Sequence, residues 1–198
     1  MGTMRICYAT TNQAKVQSLQ AALSPAGFEV IQKPLSIPEP RLDRVEDIAR
    51  FKAMFAFQEA KAPVVALDAG FFIRHLNGFP RSFVNFALDT VKVDGLLKLV
   101  SGSDRRAEFR HSLAYHDGQA DTPVVFTDIV RGTIAPAMRG KLKPYHWSVL
   151  SAIFIPAGET KTLAEMGETE YHDWHERRIG GSSYAQQFIL WHRQHRRN

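Results

Sequence analysis

The sequence predicts an α/β protein built on a mixed sheet, and three observations carry that prediction. Short apolar runs of strand character alternate with longer runs of helical period from residue 4 to residue 68. Two long strand-like runs then follow each other across a turn in the middle of the chain. The remainder ends in amphipathic helical sequence.

Taken in order, "RICYAT" is a short buried strand, and the polar loop "TNQAK" opens the amphipathic run "VQSLQAAL". "SPAG" stops that helix and "FEVIQ" forms a second strand. Three prolines in "KPLSIPEPRL" require extended loop. Asp43, with Glu46 three residues on, has the spacing of a capping box for the helix "VEDIARFKAMFAFQEAKA", and Pro63 separates that helix from the strand "VVALD". Asp68 is expected at the tip of this strand, with a sharp turn at Gly70. "DGLLKLV" reads as a short helix, and "RRAEFRHSLAYHDG" and "TPVVFTDIVRGTIAP" as an antiparallel hairpin. "VLSAIFIPAG" is a further strand; from Glu168 the chain is helical, broken at "GGSS" and resumed at "YAQQFILWHRQH".

At 198 residues the chain is expected to be one domain, residues 1–198, with hydrophobic and charged fractions of 44% and 23% that fit a water-soluble protein. No apolar run reaches the roughly 20 residues of a bilayer span, and the start lacks a signal-peptide core, so no membrane is implied and the cytoplasm is the expected compartment. A lone cysteine, Cys7, excludes an intrachain disulfide. The net charge of +5 suits a phosphate-bearing substrate; part of it lies in the final "HRQHRRN", whose nucleic-acid reading lacks any recognition module.

Chemistry concentrates at a few places. "ATTNQAK" puts Thr10, Thr11 and Asn12 between a strand and a helix whose first turn holds Lys15, the arrangement that binds anions at a helix N-terminus. No GxxxxGK[ST] is present, so this is not a P-loop. Lys52, Arg74, Arg81 and Lys161 are further cations able to meet an anion. His172 and His175 lie three apart beside Asp173 and Glu176, which would suit a transition metal, but with no HExxH and no third ligand at a telling distance a solvated polar helix face is the favoured reading.

These segments together resemble the inosine triphosphate pyrophosphatase family, the XTP/dITP diphosphatases. "ATTNQAK" is similar to ATGNxxK, "VEDIARFKA" to EEIAxxKA, "LNGFPRSFVNF" to LGGxPGxYSxxF, and "DGLLKLV" to NxxLLxxL. "LDAG" stands where the family has an acidic pair, "VRGTIAPAMRG" resembles GxIxxxPxG, and "FIPAGETKTLAEM" resembles FxPxGxxKTxAEM. The resemblance implies an elongated mixed sheet flanked by helices, two lobes with a nucleotide cleft between them, and a homodimer. It implies Mg²⁺-dependent hydrolysis of deaminated purine nucleoside triphosphates to monophosphate and pyrophosphate. Thr10, Asn12, Lys15 and Lys52 match phosphate-holding residues, and Asp68 the metal-binding or water-activating acid; Thr11, Lys161, His175 and Arg177 complete the expected substrate contacts.

Departures from the family pattern cluster at metal and base positions. Leu67 replaces the first acid of the pair and Ala69 the hydroxyl residue after it; Ser18 and Ser151 stand at other acidic positions. Leu150 takes the place of a base-side ring, and Phe83, Val84 and Asn85 that of a tyrosine, a serine and a basic residue. The base-reading SHR tripeptide corresponds either to His175, Glu176 and Arg177 or to "GGS" at 180–182. Glu39 or Asp43 can supply a replacement carboxylate. Two functions follow: a divergent pyrophosphohydrolase, or a nucleotide-binding protein without turnover on the same fold.

Overall fold

The computed structural model describes residues 3–38, 40–179 and 183–195. Among these residues, seven strands form one mixed sheet in the order β2-β1-β3-β5-β6-β7, with β4 paired to β3. The strands are β1 (Met4–Ala9), β2 (Phe28–Lys33), β3 (Val64–Ile73), β4 (Pro80–Arg81), β5 (Arg106–His116), β6 (Val124–Ile134) and β7 (Phe154–Pro156). The helices are α1 (Gln13–Leu23), α2 (Val45–Ala60), α3 (Val84–Thr90), α4 (Lys92–Leu99), α5 (Glu168–Ile179) and α6 (Tyr184–His195). β1 runs parallel to both β2 and β3, as strands joined through helical crossovers must. None of the described helices is long and apolar enough to cross a membrane.

The chain divides into two compact units, and β3, β5 and β6 each contribute residues to both. The first unit comprises Met1–Asp68, His111–Asp128 and Arg177–Asn198. Its sheet face toward α2 is made close by alanines: Ala49 and Ala53 of α2 meet Ala66 and Ala114, all fully buried. Small side chains bring the helix near the strands, which matters because Lys52 lies between those two helical alanines. α6 carries Phe188, which packs on Phe28, Tyr115 and Phe126 with ring centroids 5.2 to 5.7 Å apart.

The second unit comprises Ala69–Arg110 and Ile129–Glu176. Its core gathers Phe71, Ile73, Leu96, Ile134, Leu150, Ile153 and Phe154. Gly132 is required where β6 meets β7, since a Cβ there would stand 2.2 Å from the Ile155 carbonyl oxygen. Gly140, at φ +79°, likewise lies against the Ala164 backbone. The "KTLAE" segment is a reciprocal cap: Glu165 accepts from the Thr162 amide at 2.8 Å, and the Glu165 amide donates back to the Thr162 hydroxyl at 3.3 Å.

Three local expectations are corrected. β3 does not end at Asp68 but runs five residues further to Ile73, because Phe71 and Phe72 pair with Arg81 and Pro80 of β4. α2 is capped by Arg44, not Asp43, with no side-chain capping bond; Glu46 and Asp47 in its first turn supply the negative charge that a helix N-terminus favours. Only Phe154–Pro156 of "VLSAIFIPAG" is strand, since Val149–Ala152 winds into a 3₁₀ turn capped by Ser148.

Candidate active site

The carboxyl end of β1 sets the geometry. β1 stops at Ala9, and its last pairing to β3 is Tyr8 with Val65. β3 continues, so Asp68 projects beyond the end of its neighbour. The purpose expected of a strand tip is met by a strand that outlasts the one beside it; the crevice outside the carboxyl ends of parallel strands is where open α/β sheets place ligands.

Asp68 lies on the strand face shared with Ala66, and α2 presents Lys52 to it. The Lys52 ammonium reaches Asp68 Oδ1 at 2.7 Å, with the two side chains only 17% and 9% exposed. The default expectation for a helix lysine, full solvation, therefore fails here. Leu67, one residue earlier, points to the opposite face and is 6% exposed.

The loop after β1 is shaped by its own side chains. Thr10 Oγ1 accepts from the Asn12 amide at 3.2 Å, and Asn12 Oδ1 accepts from the Lys15 amide at 3.1 Å, making Asn12 the N-cap of α1. The Asn12 oxygen thus builds the loop, while the Thr10 hydroxyl hydrogen keeps its donor capacity toward an anion. Thr11 is exposed and Lys15 half-buried in the first turn.

A second polar centre in the same unit was not expected from the sequence. Asp128, on β6, accepts from His111 Nδ1 at 3.0 Å, from the Arg178 guanidinium at 3.0 Å and from the Tyr184 amide at 3.1 Å. One carboxylate thus holds both Arg178 of α5 and the first residue of α6. Burial pushes the His111 pKa below its usual value, against the opposing pull of Asp128. Burial raises the Asp128 carboxyl, but the hydrogen bond from His111 and the charges of His111 and Arg178 outweigh it and hold the pKa low.

Other candidates have contacts of their own. Lys161 gives its ammonium to both oxygens of Glu170, at 2.9 and 2.8 Å. His175 stacks on Tyr171 at 6.1 Å, and Arg177 is exposed, while its neighbour Arg178 is half-buried against Asp128. Leu150 is fully buried in the second core and Ser151 is 6% exposed beside it. "GGS" at 180–182 and Glu39 fall outside the described residues. No group of three or more His, Cys, Asp or Glu side chains able to hold a metal occurs among the described residues, His172 and His175 included.

The site thus sits on an α/β sheet, with a helix-opening Thr/Asn loop after one parallel strand and a lysine–carboxylate pair on the next. Residues 6–182 match the model of the Ham1 family, and the chain belongs to that family. It is 36% identical over 168 residues to a dITP/XTP pyrophosphatase of Methanopyrus kandleri, covering 84% of this chain and 87% of that one. The corresponding protein of Thermococcus kodakarensis is 34% identical over 84% and 88% of the two chains. Among solved structures, a nucleoside-triphosphatase / dITP/XTP pyrophosphatase from Mycobacterium abscessus superposes with a TM-score of 0.69 at 25% identity, covering 88% of this chain and 94% of that one. A HAM1 protein from Coxiella burnetii gives 0.74 at 22% identity over 96% of each chain, which bears on the fold alone.

Proposed function

We propose that this protein is a nucleoside-triphosphate pyrophosphohydrolase that converts deaminated purine (deoxy)nucleoside triphosphates to monophosphate and pyrophosphate. The observation that carries the reading is the Lys52–Asp68 pair, held at 2.7 Å just beyond the end of β1. Thr10, Thr11, the first amides of α1 and Lys15 hold phosphate oxygens. An ammonium has three N–H donors, so Lys52 can orient Asp68 and still meet a phosphate oxygen. Lys161, His175 and Arg177 are assigned to the nucleotide by resemblance.

A divalent cation, Mg²⁺, fits the donor set in one form only. Asp68 offers hard carboxylate oxygen, and Mg²⁺ is satisfied by one or two carboxylates when phosphates and waters complete its octahedron. Asp68 would hold it, and the ion would neutralise phosphate charge as the bond to pyrophosphate breaks. Asp68 is held in orientation by Lys52, and the loop amides fix the triphosphate against it. The same family resemblance supports a homodimer working in the cytoplasm.

The test is product analysis. Purified protein with Mg²⁺ is incubated with dITP, XTP, ITP and the four standard ribo- and deoxyribonucleoside triphosphates. Pyrophosphate and monophosphate should appear in equal amounts, fastest from the deaminated purines. Orthophosphate and diphosphate as products would refute the reading, and binding without turnover would favour a nucleotide-binding protein on this fold.

A further inference from the structure

β2 is an edge strand beside β1, and the way it ends governs how the loop after β1 begins. The parallel register opens with the Met4 amide donating to the Gly27 carbonyl at 2.9 Å. It closes six residues later in the same pattern, the Thr10 amide donating to the Lys33 carbonyl at 3.3 Å. A regular parallel ladder would next bring the Leu35 amide to the Thr10 carbonyl. Instead the Leu35 amide turns back to the Lys33 carbonyl at 2.9 Å, a tight turn around Pro34. Pro34 has no N–H of its own to offer. The Thr10 carbonyl is therefore left to a donor from outside the backbone ladder.

Gln32 is that donor. It stands opposite Tyr8 in the register, so its side chain shares the face on which Thr10 follows two residues later. Its Nε2 donates to the Thr10 carbonyl oxygen at 3.2 Å. Thr10 is then held to β2 at both ends of its backbone, through its amide by Lys33 and through its carbonyl by Gln32. Its hydroxyl oxygen takes the Asn12 amide at 3.2 Å, and Asn12 in turn caps α1 at the Lys15 amide. One unbroken series of hydrogen bonds runs from Gln32 through Thr10 and Asn12 to the first turn of α1, all of it in the first unit.

Resting on the pyrophosphohydrolase reading, we propose that Gln32 is a positioning residue of the phosphate site: its side-chain amide replaces the missing strand rung and fixes the backbone of the loop after β1. It acts through Thr10 and not on the substrate. A loop held this way grips phosphate oxygens equally in the ground state and the transition state, so its loosening raises KM and spares kcat.

The test compares Gln32→Met, which keeps the length and removes the donor, with Gln20→Met as a control. Gln20 of α1 braces the same edge strand elsewhere, accepting from the Val30 amide at 2.7 Å and donating to the Phe28 carbonyl at 3.3 Å. In Gln32→Met the KM for dITP should rise about threefold to tenfold, the scale of one hydrogen bond, with kcat within about twofold of wild type. Affinity for tripolyphosphate, read by calorimetry, should weaken by the same factor. Gln32→Glu, equal in size but without a donor when ionised, should lose at least as much. Gln20→Met should lower the thermal midpoint and leave both KM and tripolyphosphate affinity within about twofold of wild type. Unchanged KM and affinity in Gln32→Met overturn the inference, as does an equal loss in Gln20→Met, which would report a general loosening of β2. A wild type that turns over no triphosphate ends the pyrophosphohydrolase reading, while the tripolyphosphate comparison still decides the role of Gln32. A wild type that also binds no tripolyphosphate overturns both.

Discussion

Replacing Lys52 by methionine keeps the length of the side chain and removes its charge, leaving Asp68 buried without the cation 2.7 Å from it. At an effective dielectric of about 20 the gross attraction over that distance is about 6 kcal/mol, most of which offsets the desolvation of the two groups. Removing one member of a buried pair typically costs about 3–5 kcal/mol. Because Lys52 retains 17% exposure, the lower end applies, about 3 kcal/mol. For a chain of this size that lowers the melting midpoint by about 6–12 °C. The assay is urea denaturation of wild type, Lys52→Met, Asp68→Asn and the double variant. The double variant should recover about 2 kcal/mol of the summed single losses, because neither charge is then stranded. A Lys52→Met loss under about 0.5 kcal/mol, or strict additivity in the cycle, would refute a buried pair and the placement of Asp68 built on it.

Three further outcomes are expected. His111 has a folded-state pKa below its unfolded value of 6.5, so the unfolded chain binds more protons in the window below about 6.5 and stability falls as pH falls through it; His111→Gln should flatten the slope of unfolding free energy between about pH 7 and 5. Asp128, also held low, adds its own loss only further into acid, as pH falls through its depressed value. Glu170→Gln should weaken the hold on Lys161 and lower the KM for the triphosphate with kcat little changed, and an unchanged KM removes Lys161 from the nucleotide contacts. Ala53→Leu should overpack the alanine layer, costing about 1–3 kcal/mol and reducing activity by moving Lys52; thermal melts and pyrophosphate release read the two effects.

The order of strands and helices up to β3 is legible because the period of apolar residues changes cleanly from element to element. β3 itself misleads, since Asp68 and Gly70 are turn residues by local chemistry, and only the pairing of Phe71 and Phe72 with β4 carries the strand past them. Arg44 rather than Asp43 caps α2 because the cap is decided by where the chain leaves the proline-rich loop. At the site, Lys15, Lys52 and Asp68 are visible through motif resemblance; the 2.7 Å contact between the last two is not, since they come from different elements. Asp128 and His111 went unread, although a signal was present. Asp128 lies between Phe126 and Val130 on the buried phase of its strand, and His111 precedes Leu113 and Tyr115 on the buried phase of β5. A charged residue on a buried phase is a paired residue. Whether Arg177 or Arg178 turns inward depends on helix rotation, which a run of two arginines does not reveal.

The most direct measurement of the central claim is pyrophosphate release from dITP by the wild type and by Asp68→Asn under the same Mg²⁺ concentration. The account predicts measurable turnover by the wild type and a loss of about 10²-fold or more in kcat/KM in the variant, whose amide cannot take the carboxylate's part. A variant that keeps its rate would contradict the account and move the chemistry away from the end of β1.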